Sequence, residues 1–507
     1  MKHPTEHGRT PIESALAALS SETLSKFLER QRWFGAKGAG ATNARLLDAI
    51  VLPWGHGAFA IARIAIGAHG EERRYQLPLA ARDAAPPRAP ETAVVTRGDA
   101  SGKWLIVYDA LYDPDFLRGM ARALERGAEI GNDTLRLVIE RIGEPQTFSV
   151  DPAMRLSEAE QSNSSVVIDN EAILKLFRTV SPGAHPDVEV TRYLTMHANF
   201  ANTPALLAAL YLEHRGEVTT SGMMQTYLPG STDVWTYALD RARPYFTAPA
   251  NKDAPNEFVD DARQLGVVTR RLHDALAGDE DVPDFAAETA LPDDLDRWAH
   301  RAQQSIRDSL ALLERRLGNP AFPRDRVAEA QALVKRRDHF DGWINEIADQ
   351  VGDDLGMRTR THGDYHLGQV LRTRSGELMI IDFEGEPARP LAERREKTSP
   401  LRDVAGMLRS FAYAAATLAT TEGRNSPPQL RELRTARWER DVRTAFLDGY
   451  FAEQDEEGLL PDEDINARRL IALFETEKAF YELAYELNNR PSWVGIPMRG
   501  IAKLFTK

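Results

Sequence analysis

The 507-residue sequence contains no cysteine. Disulfides, thiolate zinc sites and a cysteine nucleophile are therefore excluded, and cysteine usage says nothing about redox compartment. No run approaches the ~18 consecutive apolar residues of a bilayer-crossing helix. The opening MKHPTEHGRTPIESALAALS has no apolar stretch behind a basic segment. A soluble, cytoplasmic protein with no membrane partner is expected. Positive charge is in deficit, with 63 Lys and Arg against 76 Asp and Glu and a net charge of −13. Nucleic acid is not an expected partner, because its binders carry a basic stripe that displaces counterions. An anionic cofactor would need a locally basic pocket. Internal repeats and low-complexity tracts are missing too. Hydrophobic residues make up 42% and charged residues 27%, the balance of a chain able to build cores. Its length calls for two or three domains.

Periodicity divides the chain. A helical pattern at 12–30 precedes alternating stretches at 44–52, 58–66 and 72–80, separated by Gly-His turns, which predict a β-meander. Residues 83–90 read as a loop. Short strands dominate from Trp104 to Gly230, interrupted by helix-like patterns at 114–126, 186–198 and 204–213. Beyond Ser231 long helices are predicted at 260–277, 292–317, 324–351, 401–420, 435–452 and 464–487, broken by short strands around 358–382. The expected layout is a β-rich N-terminal half and an α-rich C-terminal half, with the motifs in the cleft between them.

The segment Thr361-His-Gly-Asp-Tyr-His-Leu-Gly-Gln369, followed by Leu378-Met-Ile-Ile-Asp-Phe-Glu384, carries the most information. Kinase catalytic loops run H-x-D-x-x-x-x-N, followed by a strand that delivers a metal-binding Asp. Phosphoryl transfer needs a carboxylate beside the attacking hydroxyl and hard oxygen ligands for magnesium. Asp364 suits the first role; Asp382 and Gln369 suit the second, with Gln standing where protein kinases have Asn. A turn merely capped by His362, Asp364 and His366 is the alternative, and the Gln369 spacing and the Ile-Ile-Asp strand weigh against it.

Upstream, Glu160-Gln-Ser-Asn-Ser-Ser165 leads into a strand, an Asp169-Asn turn and the strand Ala172-Ile-Leu-Lys-Leu-Phe177. Such a hairpin can hang a loop over nucleotide phosphates. Ser162, Asn163, Ser164 and Ser165 would supply the anion nest, Lys175 would meet the phosphates of ATP, and Glu189 would orient Lys175. The loop lacks G-x-G-x-x-G, so an ordinary hairpin with an exposed lysine stays open. Met223-Met-Gln-Thr-Tyr-Leu-Pro-Gly230 reads as a hinge, with Gln225 and Tyr227 nearest an adenine, or as a plain connector. Asp403 opens a helix where it could hold the catalytic-loop backbone or simply complement the helix dipole.

Together, Gln31-Arg-Trp-Phe-Gly-Ala-Lys-Gly38, the 160–165 loop, Ile173-Leu-Lys-Leu-Phe177, the 362–369 loop, Ile381-Asp-Phe-Glu-Gly-Glu-Pro-Ala-Arg-Pro390 and Glu482-Leu-Ala-Tyr-Glu-Leu-Asn-Asn-Arg-Pro491 resemble the maltokinase family. The resemblance runs from about residue 30 to the C-terminus. It implies an α+β, bilobal, protein-kinase-like fold of the aminoglycoside phosphotransferase superfamily. Residues 1–104 would form an N-terminal cap, 105–230 the nucleotide-binding N-lobe, and 231–507 a mainly helical C-lobe. The implied reaction converts maltose and ATP, with Mg2+, to maltose 1-phosphate and ADP, feeding α-glucan (glycogen) synthesis, with trehalose synthase as an associate. In the cap, Trp33 and Phe34 are expected as core anchors. Tyr481 and Tyr485 share one helical face, where Tyr485 and Asn489, with His366, are candidate sugar contacts. A related kinase acting on glucosamine or an aminoglycoside, and a catalytically silent kinase-like binding module, are the rival readings.

Overall fold

A computed structural model describes residues 9–34, 42–68, 71–100, 103–132, 134–144, 146–157, 163–249, 254–278, 281–387, 389–452 and 458–505. Its contacts define two compact units: Met1–His197 with Pro204–Pro229, and Ala198–Thr203 with Gly230–Lys507.

The first unit begins with α1 (Pro11–Ala18) and α2 (Ser21–Glu29). The periodicity at 12–30 predicts one helix, but Ser20 takes extended backbone and its hydroxyl accepts the Thr23 N–H, starting a second. Five strands follow: β1 (Thr42–Leu52), β2 (Phe59–Ala68), β3 (Glu71–Arg82), β4 (Val94–Ala100) and β5 (Lys103–Asp109), in the antiparallel order β1-β2-β3-β5-β4. Residue 104, the end of the expected cap, thus falls inside a strand of this sheet. Strand alternation turns Ala60, Ala62 and Ile64 toward a core closed by Ile12, Leu16, Phe27 and Phe34. Phe59 and Ile61 face a second core.

That second core is shared with α3 (Pro114–Arg126), whose Phe116, Leu117, Met120 and Leu124 recur at helical spacing. The rest of the unit comprises β6 (Glu129–Gly131), β7 (Leu135–Arg141), β8 (Met154–Leu156), β9 (Asn163–Ile168), β10 (Ala172–Phe177), β11 (Thr179–Val180), α4 (Pro186–Met196), β12 (Leu206–His214) and β13 (Glu217–Thr226). Seven of these strands form a sheet in the order β6-β7-β12-β13-β10-β9-β8, while β11 pairs with β3 of the first sheet. Gln76 joins the two sheets: its amide donates to the Phe177 carbonyl (3.0 Å) and the Ser221 carbonyl (2.8 Å).

The helix expected at 204–213 is a strand. Leu206-Leu-Ala-Ala-Leu-Tyr-Leu has strong intrinsic helix formers, but it lies between β7 and β13 and makes ladders to both. Two-sided burial favours a continuous apolar strand, and tertiary pairing overrides propensity.

The second unit is mainly helical: α5 (Val234–Thr247), α6 (Val259–Leu276), α7 (Pro292–Arg316), α8 (Val327–Lys335), α9 (Arg337–Val351), α10 (Leu391–Arg394), α11 (Leu401–Thr421), α12 (Pro428–Tyr450), α13 (Asp464–Asn489) and α14 (Gly495–Leu504). Its strands are β14 (Thr232–Asp233), β15 (Glu288–Thr289), β16 (Met357–Arg358), β17 (Val370–Arg372) and β18 (Leu378–Ile380), with a small sheet ordered β14-β17-β18. The segment 198–203 belongs here: the Asn202 amide donates to the Leu378 carbonyl (2.8 Å), and Asn202 O accepts the Ile380 N–H (2.7 Å). The single helix expected over 324–351 is divided at Arg336. Three helices are absent from the sequence expectations: α10 has only four residues, α5 contains Pro244, and α14 starts Gly-Ile-Pro, the last two being signals of a break in sequence.

Helices α6 and α12 touch at Gly266, where an added Cβ would stand 2.0 Å from the Phe446 carbonyl oxygen. Backbone cannot yield as a flexible side chain can. Gly266→Ala is expected to destabilise the protein by roughly 1–3 kcal/mol or more, read as a lowered midpoint in thermal or denaturant unfolding.

Candidate active site

The 362–369 loop is held by a buried carboxylate. Asp403, in the first turn of α11, accepts the His362 N–H (2.7 Å) and the Gly363 N–H (3.0 Å). His273 Nε2 lies 3.3 Å from the same carboxylate, and His273 Nδ1 lies 2.8 Å from the Tyr450 hydroxyl. Burial works to raise the Asp403 carboxyl, but its bond to His273, the neighbouring His362 and the Gly363 amide outweigh that and hold it below the ordinary value. His362 Nε2 lies 2.9 Å from the Ile381 carbonyl, which can only accept, so Nε2 carries the hydrogen. Its Nδ1 then accepts the Asp364 N–H at 3.4 Å. Tyr365 and Leu367 are buried anchors on either side of His366. Gly406 lets α11 approach, since a Cβ there would be 2.7 Å from the Tyr365 carbonyl oxygen.

Asp364 is thereby presented at a cavity of about 360 Å³ within the second unit. Six of the charged side chains that line it are linked in alternating sign. Lys478 Nζ bonds Asp364 Oδ1 (3.0 Å) and Glu386 Oε1 (2.6 Å). Arg389 bonds Glu386 (2.7 Å) and Glu477 (3.2 Å), and Arg402 bonds the other Glu477 oxygen (2.9 Å). Asp364 ends the chain, and its Oδ2 accepts no hydrogen bond among the described residues. Burial tends to raise the Glu386 carboxyl, but Lys478 and Arg389 overcome it and bring the pKa down to about 2. Burial likewise opposes the charge on Lys478, yet Asp364 and Glu386 raise its pKa above the ordinary lysine value. Burial, then the Glu386 carboxylate, pushes the Tyr481 phenol up to about 12, so it remains a donor. The Tyr481 ring lies 4.9 Å from Lys478 Nζ.

Beyond the loop, Gln369 Nε2 donates to Asp382 Oδ2 at 2.9 Å. Asp382 has φ 71°, a left-handed conformation that side-chain-bearing residues rarely adopt and that concentrates at functional sites. Asp382 and Glu384 bring carboxylate oxygens within 4.8 Å of one another. Carboxylate oxygens are the hard donors that a divalent cation takes, and Gln369 turns its amide nitrogen toward one of them.

In the first unit, the Asp169-Asn170 turn has φ 52° and 56°, the left-handed pair of a tight hairpin between β9 and β10. Lys175, on β10, places Nζ 2.9 Å from Asp187 Oδ2. Asp187 stands in the first turn of α4, as does Glu189, the expected orienting residue. Asn163 and Ser165 are buried on β9, and the Ser164 hydroxyl accepts the Arg178 Nε–H at 2.8 Å. Arg178 is buried, also bonds Asp109, and lies 4.9 Å from the Trp33 ring. Phe34 is buried as a core anchor, whereas half-buried Trp33 covers this arginine. Gln225 donates to the Pro204 carbonyl (3.3 Å), and the Tyr227 N–H donates to the Glu171 carbonyl (2.8 Å). Ser162 lies outside the described residues.

His366 is half-buried, accepts the Gly368 N–H (3.0 Å) and is kept toward the neutral form by burial. Tyr485 and Asn489 do not join the cavity: both are exposed, Asn489 bonds the Tyr485 carbonyl (2.9 Å), and the Arg490 guanidinium covers the Tyr485 ring. The cavity stripe on α13 is Phe474, Glu477, Lys478 and Tyr481, and helical drift carries the next turns away. Sequence reasoning missed Lys478, Arg389, Arg402 and Glu477. Glu384 and Glu386 lay inside the Asp-Phe-Glu-Gly-Glu motif, so the signal for them was available.

Residues 27–113 match the family model of the maltokinase N-terminal cap domain. The chain is similar to a glucosamine kinase of Streptacidiphilus jiangxiensis, 25% identical over 348 residues that cover 67% of this chain and 70% of the relative. It is also similar to a glucosamine kinase of Mycolicibacterium smegmatis, 26% identical over 347 residues covering 67% and 76%. A solved structure of glucosamine kinase in complex with glucosamine, ADP and inorganic phosphate aligns with 98% of this chain and 100% of its own, at a TM-score of 0.65 and 20% identity. The fold is thus that of a glucosamine kinase, β-rich in its N-terminal region and helical beyond. More particularly, the chain carries a maltokinase-type cap on that fold and is a homologue of the glucosamine kinases.

The Glu386 carboxyl, ordinarily near 4.5, titrates at about 2 in the folded chain. A depressed folded pKa contributes stability that is complete above the ordinary value and is lost as pH falls through the folded one. Wild type is therefore expected to lose stability between about pH 4.5 and pH 2, and Glu386→Gln to flatten that part of the curve in acid denaturation.

Proposed function

We propose that the chain is an ATP-dependent sugar kinase that transfers the γ-phosphoryl group to a maltose hydroxyl, giving maltose 1-phosphate and ADP. One observation carries the reading: Asp364, with Oδ2 open, stands on a rigidly held loop at the wall of a polar cavity of about 360 Å³, in a chain with a maltokinase cap. Asp364 accepts the acceptor hydroxyl's proton as the sugar oxygen bonds to the γ-phosphorus. The bond from that phosphorus to the bridging oxygen breaks, and ADP leaves. Asp382, Gln369 and Glu384 would hold a magnesium ion, which supplies neutralising charge to the phosphates when bound. In the first unit, Lys175, steadied by Asp187, takes the nucleotide phosphates, with Ser162 and the start of β9, Asn163, Ser164 and Ser165, as further phosphate contacts and Gln225 to Tyr227 beside the adenine. Residues 105–230 carry the nucleotide and 231–507 the sugar. The product's role in glycogen synthesis, an association with trehalose synthase and a cytoplasmic setting belong to the same reading. Among the described residues no helix is long and apolar enough to cross a membrane.

Glucosamine is the second reading for the acceptor, favoured by the similarity to the two glucosamine kinases. ADP release with maltose and with glucosamine separates the two. Asp364→Asn is expected to lower turnover by roughly 10²–10⁴-fold with an unchanged unfolding midpoint. Asp382→Ala should abolish the magnesium requirement along with the rate. Near-wild-type turnover in either variant overturns the corresponding role.

A further inference from the structure

Every carboxylate in the alternating chain is compensated by a cation. Asp364, Glu386 and Glu477 supply three negative charges; Lys478, Arg389 and Arg402 supply three positive ones. Three further charged groups stand on the cavity wall, Arg301, Glu393 and Asp403. They lie outside the alternating chain: Arg301 pairs with Glu396 (2.6 Å), Glu393 is exposed, and Asp403 is buried and engaged with the loop amides. Lys478 holds the central place, because its one ammonium neutralises both the residue proposed to take the proton and Glu386. Two of its three N–H donors are used on those carboxylates. The third is available to a sugar hydroxyl, an acceptor of hydrogen bonds. It cannot be used by an ammonium, which only donates and carries like charge.

We infer that Lys478 is a specificity-determining residue that selects neutral, hydroxyl-bearing sugars and rejects amino sugars in their ammonium form. The inference rests on the reading of the second unit as the sugar-binding part. It concerns discrimination by charge, which sugar size and the cap do not supply. Removing the Lys478 charge would leave Asp364 and Glu386 as a carboxylate pair in which, among the described residues, only Glu386 keeps a bonded cation, Arg389, an environment that welcomes an ammonium group.

The test compares glucose with glucosamine, which differ only in a hydroxyl or an amino group at one carbon. Binding is measured by calorimetry on the full chain, below the pKa of the amine. Wild type is expected to bind glucose in preference to glucosamine. Lys478→Gln should shift the affinity ratio about tenfold or more toward glucosamine, and Lys478→Arg should keep the wild-type ratio. Glu386→Gln, which leaves a surplus cation, should move the ratio the other way and covers the case in which Lys478→Gln does not fold. An unchanged ratio in the folded variants, a wild type that prefers glucosamine, or binding of neither sugar overturns the inference. ATP turnover with maltose is followed in parallel. Its absence alongside the expected ratio shift would sink the kinase reading and leave the Lys478 assignment standing.

Discussion

The buried Asp403 carboxylate is the constraint on which the rest of the candidate site depends. Two successive backbone amides, those of His362 and Gly363, point into the protein and end on its two oxygens. Left unpaired, each would cost about 1–3 kcal/mol, and a buried carboxylate without donors would cost more. Donor and acceptor therefore hold one another in place, with His273 and Tyr450 fixing the far side. Once this turn is set, His362 reaches the Ile381 carbonyl and Asp364 is carried to the cavity wall. The same turn thus ties the loop to the strand that delivers Asp382 and Glu384.

From Asp364 onward the organising force is charge compensation. A chain with a net charge of −13 still builds a cavity in which cations and anions alternate, because partly buried charges are tolerated only when paired. Each interior member touches two opposite charges, so removing one disturbs both neighbours. Such coupling makes the site stiff, a property useful for transition-state stabilisation, where dipoles and charges must be in place beforehand. In the first unit a smaller version recurs: Arg178 spans Asp109, Ser164 and the Trp33 ring, joining the first sheet to β9.

What could be read from the sequence was local. The division into a β-rich and a helical part, the hairpin bearing Lys175 and the His362–Gln369 loop were legible because their signals lie within a few adjacent residues. Pairings made at a distance were not. Lys478 is 114 positions from Asp364, and a lysine on a helix reads as a solvated side chain until the fold places a carboxylate beside it. Asp187 and Glu189 occupy the same helical turn, and spacing alone could not choose between them. Tyr481 and Tyr485 share a face by periodicity, but only the former reaches the cavity because the helix turns its stripe away. β12 was misread because Leu and Ala report helix propensity, whereas its environment on both sides is a sheet.

The function proposed for this site is the transfer of phosphate to a sugar. Phosphorus NMR of the full chain with ATP, magnesium and maltose tests it most directly. The predicted result is a new phosphomonoester signal, coupled to the anomeric sugar proton, that grows in step with ADP and stays absent when maltose is withheld. Conversion of ATP to inorganic phosphate alone, or an unchanged ATP spectrum over the whole incubation, would contradict it.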